Sequence, residues 1–183
     1  MTVHNEEEIV RQLQSPDTQR SAFSKVIEAY RERLYWQIRK MVLNHDDADD
    51  VLQNTFLKAW KNLDSFRSES KLSTWLFRIA INESITFLNK QRQERQLNPQ
   101  DSDDYLIENL EADEYFDGDE LQRNLQEAVL TLPEKQRLVF NMRYFDEMKY
   151  DDISDILGTS VGALKASYHI AVKKIEDFFS ERF

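Results

Sequence analysis

The chain has 183 residues and a net charge of −10, with no cysteine, three glycines and three prolines. The lack of cysteine excludes disulfides, thiolate catalysis and cysteine–zinc sites, and it fits a reducing cytoplasm. No apolar run approaches the roughly 20 residues that a membrane-spanning helix needs, and the N-terminus lacks a signal-peptide pattern. We therefore expect a cytoplasmic protein that does not insert into a membrane. Apolar residues recur at helical spacing almost throughout, which predicts an all-α fold.

The pattern divides the chain into an N-terminal tail (1–19), a first helical unit (20–95), an acidic linker (96–119) and a second helical unit (120–183). The first unit contains three predicted helices, each with an apolar stripe that repeats every three or four residues. These stripes are Phe23, Ile27, Tyr30, Leu34, Ile38 and Met41; then Leu52, Phe56, Ala59 and Leu63; then Trp75, Leu76, Ile79 and Leu88.

The excess of negative charge lies in the linker. Residues 1–96 carry 15 Lys and Arg against 14 Asp and Glu, and residues 120–183 carry nine against 11. Residues 97–119 carry nine acidic residues and no basic residue. Charge blocks of this kind are more typical of linkers or interaction segments than of packed structure.

The second unit contains four predicted helices and ends in a helix-turn-helix pattern. The first two stripes are Leu121, Leu125, Ala128 and Leu132, then Leu138, Val139, Met142 and Phe145. Residues 149–174 (KYDDISDILGTSVGALKASYHIAVKK) follow. Here Ile153 and Ile156 share one helix face, Gly158 can take the left-handed conformation that ends a helix, and Ser160 can cap the next one.

The last helix of this pattern carries Lys165, His169 and Lys173 on one ridge, at i, i+4 and i+8. A rigid helix with a polar, partly basic ridge is the shape that enters a DNA major groove. The alternative is an ordinary helical hairpin with a solvated face. Because both units are near neutral, we expect weak unaided DNA affinity and a partner that brings its own.

Three further motifs occur in order along the chain. They are residues 47–60 (DADDVLQNTFLKAW), residues 66–70 with 73–82 (FRSES and STWLFRIAIN), and residues 132–137 (LPEKQR) before the helix-turn-helix. They resemble, respectively, the polymerase-binding helix, the −10-reading loop and helix, and the −35-reading domain of the extracytoplasmic-function (ECF) sigma factors of bacterial RNA polymerase. The resemblance covers about 20–95 and 120–180, and it implies a sigma region-two domain in 20–95 and a region-four domain in 120–183.

The resemblance implies a transcription initiation factor that binds core RNA polymerase, recognises −35 and −10 promoter elements and helps melt the DNA. The implied partners are the β′ coiled coil and the β subunit of the polymerase, promoter DNA and a separate anti-sigma factor. We expect no cofactor and no small-molecule substrate. The residues that match the family's polymerase contacts are Asp50, Gln53, Asn54 and Leu57. Acid and amide groups beside an apolar contact suit an arginine-rich surface, although a solvated helix face explains them equally well from the sequence alone.

The residues that match the family's −10 contacts are Phe66, Arg67, Ser70, Lys71, Arg78 and Asn82. Holding a flipped base needs polar edges, an apolar wall and nearby cations for phosphates. Trp75 lies in an apolar stripe, which favours a core role over base stacking.

The residues that match the family's −35 contacts are Arg143, Tyr150, Lys165, Ser167, His169 and Lys173. Many relatives have Thr-Val-Lys-Ser-Arg and then Arg-Ala-Arg on this helix, whereas this chain has ALKAS at 163–167 and IAV at 170–172. Three arginines are missing, so we expect a −35 preference unlike the common one and a weaker salt dependence.

Several alternatives stay open at this point. A helix-turn-helix regulator that works without polymerase would need dimerisation and its own DNA affinity. An enzyme is disfavoured, because the chain has three histidines, no glycine-rich phosphate loop and no nucleophile beside a base. A metal site at residues 45–50 is disfavoured, because helix capping explains those acids and no second histidine is near. The acidic linker either mimics a phosphate backbone and covers basic DNA-reading surfaces, or is a solvated spacer.

Overall fold

The computed structural model describes residues 3–66, 70–95 and 120–182, and within these ranges all regular structure is helical. The helices are α1 (Val3–Leu13), α2 (Gln19–Val42), α3 (His45–Lys61), α4 (Leu72–Arg95), α5 (Glu120–Leu130), α6 (Glu134–Phe140), α7 (Tyr150–Leu157) and α8 (Val161–Arg182). A 3₁₀ turn at Leu63–Ser65 follows α3, and a π-helical turn at Asn141–Phe145 continues α6. No helix in these ranges is long and apolar enough to cross a membrane.

Helix α1 occupies most of the predicted N-terminal tail and packs against α2. Ile9 and Leu13, one turn apart, are buried in the main core. The Glu6 carboxylate accepts a hydrogen bond from the backbone N–H of Leu72 at 2.7 Å. This bond satisfies one of the N–H groups that the first turn of α4 leaves without a helical partner. The tail prediction is therefore corrected, since this short amphipathic helix is part of the first unit.

The first unit is built on α2, α3 and α4, which pack against one another. The predicted stripe of α2 points inward at Tyr30, Leu34 and Ile38. Helix α2 ends where Leu43 takes a left-handed conformation (φ 58°), and α3 begins where the Asn44 side chain accepts the backbone N–H of Asp47 at 3.0 Å. These two caps fix the sharp corner that places α3 beside α2.

The second unit packs α5 and α6 against the long α8. Its own core contains Ala128, Leu132, Phe140, Ala171 and Ile175. The predicted stripe of α5 is wrong at one end, because Leu121 is 69% exposed.

The helix-turn-helix has the predicted geometry. Gly158 ends α7 in the left-handed conformation, with φ 64°. The Ser160 hydroxyl accepts the backbone N–H of Ala163 at 3.3 Å at the start of α8. Ile153 and Ile156 of α7 and Leu164 of α8 are buried. The turn residues thus set two helices at a fixed angle, with their apolar faces inward.

The two units are in direct contact, and α7 lies against α4. One continuous core includes residues of α1 to α4 together with Leu138, Val139, Met142, Met148, Ile153, Ile156 and Leu164. The first helix of the helix-turn-helix therefore packs on the helix that carries the predicted −10 contacts.

Candidate functional surfaces

The predicted polymerase-binding residues lie together on the exposed face of α3. Asp50, Gln53, Asn54 and Leu57 are all exposed, and their spacing of three and four residues places them along one side of the helix. Leu57 is 51% exposed, whereas most apolar residues of α3 are buried. This exposed leucine lies beside an acid and two amide groups on the same face.

A groove between α2 and α3 continues this face. It has a volume of about 650 Å³, and Phe23, Ile27, Gln53, Leu57 and Trp60 are among the residues that line it. The Trp60 ring packs against the Phe23 ring, with centroids 5.1 Å apart, and 38% of Trp60 remains exposed. Trp60 was not among the predicted contacts. Its position in the sequence, one helical turn after Leu57, indicates that the two residues share a helix face.

Next to this groove lies a smaller and more polar cavity. It has a volume of about 320 Å³, and Arg31, Asp49 and Asp50 line it. The α3 surface, which we define as Asp50, Gln53, Leu57 and Trp60, thus offers an apolar groove with a carboxylate at one end.

The −10 candidates are distributed between the core and the surface. Phe66 is buried, and its ring packs on Trp75 with centroids 5.1 Å apart. Phe66 is therefore a core residue and hardly meets solvent. Trp75 is half-buried in the same cluster, in keeping with its predicted core role. Arg67 lies outside the described residues.

The other −10 candidates lie at or near the surface of the first unit. Ser70 is half-buried, whereas Lys71, Arg78 and Asn82 are exposed. They run along the first half of α4 and the residues just before it.

Both cations of this group already have partners on α7. The Lys71 ammonium donates to the Asp152 carboxylate at 2.7 Å, and the Arg78 guanidinium donates to the backbone carbonyl of Asp155. The hydrogen bond that Lys71 donates to Asp152, with the nearby acidic charges, raises the pKa of Lys71 although partial burial opposes this. The ammonium is thus held in its charged form by a carboxylate.

The −35 candidates form a small cluster and a ridge. Arg143 donates to the backbone carbonyl of Met148 at 2.9 Å and so braces the segment that leads into α7. The Tyr150 ring lies 5.2 Å from the Arg143 guanidinium and 5.8 Å from the Lys165 ammonium, measured to the ring centroid. One aromatic ring therefore joins the start of α7 to the ridge of α8.

The ridge itself is exposed. Lys165, His169 and Lys173 are exposed along α8, and Ser167 is half-buried between them. Lys165, His169 and Lys173 are therefore accessible on the surface of α8. Arg143 and Tyr150 also contact neighbouring parts of the helix-turn-helix.

The acid-rich start of α3 shows no metal-ligand geometry. Among the residues that the structure describes, no group of three or more His, Asp or Glu side chains is arranged to hold a metal ion. His45 instead makes a hydrogen bond through Nδ1 with the Tyr35 hydroxyl, at 2.6 Å.

A helical unit with a polar-edged apolar groove, followed by a helical unit with a helix-turn-helix, is the architecture of a two-domain DNA-binding protein. Comparisons with known proteins identify the family. Residues 26–94 match the Sigma-70 region 2 family, and residues 122–175 match the Sigma-70 region 4 family. The chain is 30% identical to the ECF RNA polymerase sigma factor SigW of Bacillus subtilis, over 87% of this chain and 89% of that protein. It is 28% identical to the RNA polymerase sigma-H factor of Pseudomonas aeruginosa, over 96% and 94%.

The chain therefore belongs to the ECF sigma factors and is an RNA polymerase sigma factor for promoter-specific initiation. Its fold is similar to that of CnrH in complex with the cytosolic domain of CnrY, with a TM-score of 0.73 and 21% identity over 97% of this chain and 98% of the other. It is also similar to the sigma factor RpoE in complex with the anti-sigma factor NepR from Bartonella quintana, with a TM-score of 0.66 and 23% identity over 86% and 96%. The predicted all-α fold with two sigma domains is confirmed.

Proposed function

We propose that the α3 surface is the anchor by which this sigma factor holds core RNA polymerase, at the β′ coiled coil. The observation that carries this assignment is the exposed Leu57 beside the α2–α3 groove, with Gln53 and Asp50 on the same face. Apolar anchors surrounded by polar groups are the usual composition of a protein interface, and carboxylates pair with arginines of a partner.

In this proposal α4 reads the −10 element. Lys71 and Arg78 bind phosphates of the unwound strand, and Asn82 with Ser70 offers hydrogen bonds to a base. Phe66 packs on Trp75 within the core, and Arg67 adds a further cation. The support is the common location of these residues on and before the first half of α4.

The ridge of α8 reads the −35 element in the major groove. Lys165, Ser167 and His169 face base edges, and Lys173 binds phosphate. Arg143 and Tyr150 position this helix through the contacts with Met148 and Lys165. With few arginines on the ridge, base readout relies on lysine, histidine and hydroxyl groups, which gives an unusual −35 preference.

Two further assignments come from the family. Solved relatives of this fold are bound to CnrY and to the anti-sigma factor NepR, and we assign to this chain a separate anti-sigma factor of its own. The chain acts in the bacterial cytoplasm, where core polymerase lies. It catalyses no reaction itself, since the polymerase supplies the chemistry.

The test is a pair of leucine substitutions assayed with core polymerase. Leu57→Ser removes the apolar anchor, and we expect it to weaken binding to core polymerase by roughly tenfold or more and to reduce run-off transcription in parallel. Leu121→Ser is the matched control, because Leu121 is also an exposed helical leucine but lies on α5. Equal behaviour of the two variants in co-elution with core polymerase would refute the assignment of the α3 surface.

A further inference from the structure

Helix α4 begins after a residue whose side chain cannot cap it. Lys71 directly precedes α4, and its carbonyl accepts the backbone N–H of Trp75 at 3.1 Å, so Lys71 occupies the N-cap position. Ser, Thr, Asp and Asn are preferred there, because their side chains accept N–H groups of the first turn. A lysine side chain has no acceptor, and its positive charge lies at the positive end of the helix dipole.

Glu6 of α1 supplies the acceptor and the negative charge that the N-cap side chain lacks. Its carboxylate accepts the backbone N–H of Leu72, the first residue of α4, at 2.7 Å. Leu72 is only 1% exposed, so this N–H depends on a protein acceptor rather than on water. The bond joins residues that are 66 positions apart in the sequence, and it links α1 directly to the start of the proposed −10 helix.

The Glu6 carboxylate is held where α1, α2 and the start of α4 meet. Glu6 is half-buried, and Ile9, one turn further along α1, is buried in the main core. Burial raises the pKa of the Tyr30 hydroxyl of α2 to about 12, and the charge of Glu6 adds to this. The hydrogen bond to Asp152 is the main cause of the raised pKa of Lys71, and the charge of Glu6 contributes there as well.

We propose that Glu6 is a positioning residue for −10 recognition: it caps α4 from another helix, so that the N-cap position can carry a cation, Lys71, for the unwound strand. This inference rests on the proposed role of Lys71 and α4 in −10 binding. Glu6 acts through α4 and contacts no DNA itself. Without its carboxylate the buried N–H of Leu72 loses its acceptor, so the first turn of α4 frays and Lys71 loses its fixed position.

The proposal gives α1 a part in promoter opening, although α1 lies before the segment that matches the Sigma-70 region 2 family. The acidic linker (96–119), which the sequence suggested as a cover for DNA-reading surfaces, lies outside the described residues. The carboxylate that meets the start of α4 comes instead from the N-terminal end of the chain.

Amide hydrogen exchange of the full-length protein tests the cap directly. Glu6→Ala removes the acceptor, and we expect the Leu72 N–H to exchange at least about tenfold faster. Glu6→Gln keeps an oxygen that can accept the bond but loses the charge, so its rate should lie between those of the wild type and Glu6→Ala. Glu7→Ala, at the next and exposed position of α1, is the matched control and should leave the rate unchanged. An unchanged rate in Glu6→Ala would overturn the proposal.

Promoter opening by the reconstituted holoenzyme tests the functional role. The template is a promoter identified by run-off transcription of genomic DNA, used as a duplex and with its −10 region already unpaired. We expect Glu6→Ala to lower opening of the duplex at least about fivefold, read by permanganate reactivity of thymines, and Glu6→Gln to recover part of this loss. Transcription from the unpaired template should change less than about twofold, since its bases need no extraction from a duplex. Equal losses on the two templates, or the same loss in Glu7→Ala, would reduce Glu6 to a structural residue and refute its positioning role.

Lys71→Ala separates this outcome from failure of the proposed function. If Lys71→Ala opens the duplex promoter as well as the wild type does, the proposed −10 role of Lys71 fails, and the inference fails with it. If Lys71→Ala is defective and Glu6→Ala is not, the positioning role alone fails. With both roles in place, adding Glu6→Ala to Lys71→Ala should lower opening by a smaller factor than Glu6→Ala does alone. Co-elution with core polymerase should be the same in all these variants, and its loss in Glu6→Ala would count against the positioning role.

Discussion

The predicted −10 surface and the predicted −35 surface of this sigma factor differ in their contacts with the other domain. On α4, Lys71 and Arg78 are bound by groups of α7, whereas on α8, Lys165, His169 and Lys173 remain exposed. The predicted −10 cations are thus tied to acceptor groups of the second domain, whereas the predicted −35 ridge is exposed along α8. The contrast teaches that packing between the two domains can engage one set of predicted DNA contacts directly and leave the other accessible.

The largest effect is expected from a substitution in the core that the two domains share. Ile153→Ala leaves a cavity in the shared core, and we expect a loss of about 2–5 kcal/mol in the free energy of unfolding. Because this core includes residues of both domains, signals from α2–α4 and from α8 should shift together in urea unfolding.

Ile175→Ala is the control for that experiment. Ile175 belongs to the smaller core of the second domain alone. Its replacement weakens contacts of the second domain only, so the signal from α8 should shift further than the signals from α2–α4. Independent transitions in Ile153→Ala would show that the shared core does not couple the two domains.

The helices that pair within one domain were largely predictable, and the contact between domains was not. The stripe of α2 and the residues Gly158 and Ser160 have local signatures, since periodic apolar residues, a left-handed glycine and a capping hydroxyl act within a few positions of one another. Ile153 and Ile156 show the same periodicity whether they face their own domain or another. Asp152 resembles an ordinary helix-start acid. Nothing local in the sequence indicates that its partner is Lys71.

The exposure of the predicted contact residues followed from the sequence on α3 but not at Phe66. The α3 residues have their predicted exposure because a helix face follows from spacing alone, although Trp60 was missed as its extension. Phe66 differed, because a loop aromatic is equally able to point outward or to pack on Trp75. Helix α1 was missed because it carries few apolar residues, and only its contact with α2 buries them.

A smaller effect is expected at the largely buried ion pair that Lys40 of α2 and Asp146 form between the two domains, at 2.5 Å. Burial raises the pKa of the Asp146 carboxyl above its ordinary 3.8, and the charge of Lys40 only partly opposes this. The carboxyl is thus more easily protonated in the folded chain than in the unfolded chain. Its contribution to stability therefore improves as the pH falls from 7 toward 3.8 and is lost as the pH rises through the raised pKa.

Urea unfolding of the wild type and of Asp146→Asn across this pH range measures that contribution. We expect the stability of the wild type to rise relative to Asp146→Asn as the pH falls. Asp151→Asn, which also replaces a carboxyl by an amide but at an exposed position, is the matched control. A constant difference between the wild type and Asp146→Asn would contradict the raised pKa.

The smallest expected effect sharpens the other side of the contrast, the exposed ridge of α8. Lys173→Ala removes one proposed phosphate contact, so the dependence of log K on log salt for duplex DNA should become less steep by about one. Lys174→Ala is the matched control, since Lys174 instead donates to the Gln136 side chain at 3.2 Å. An equal salt dependence in the two variants would show that Lys173 does not bind a phosphate.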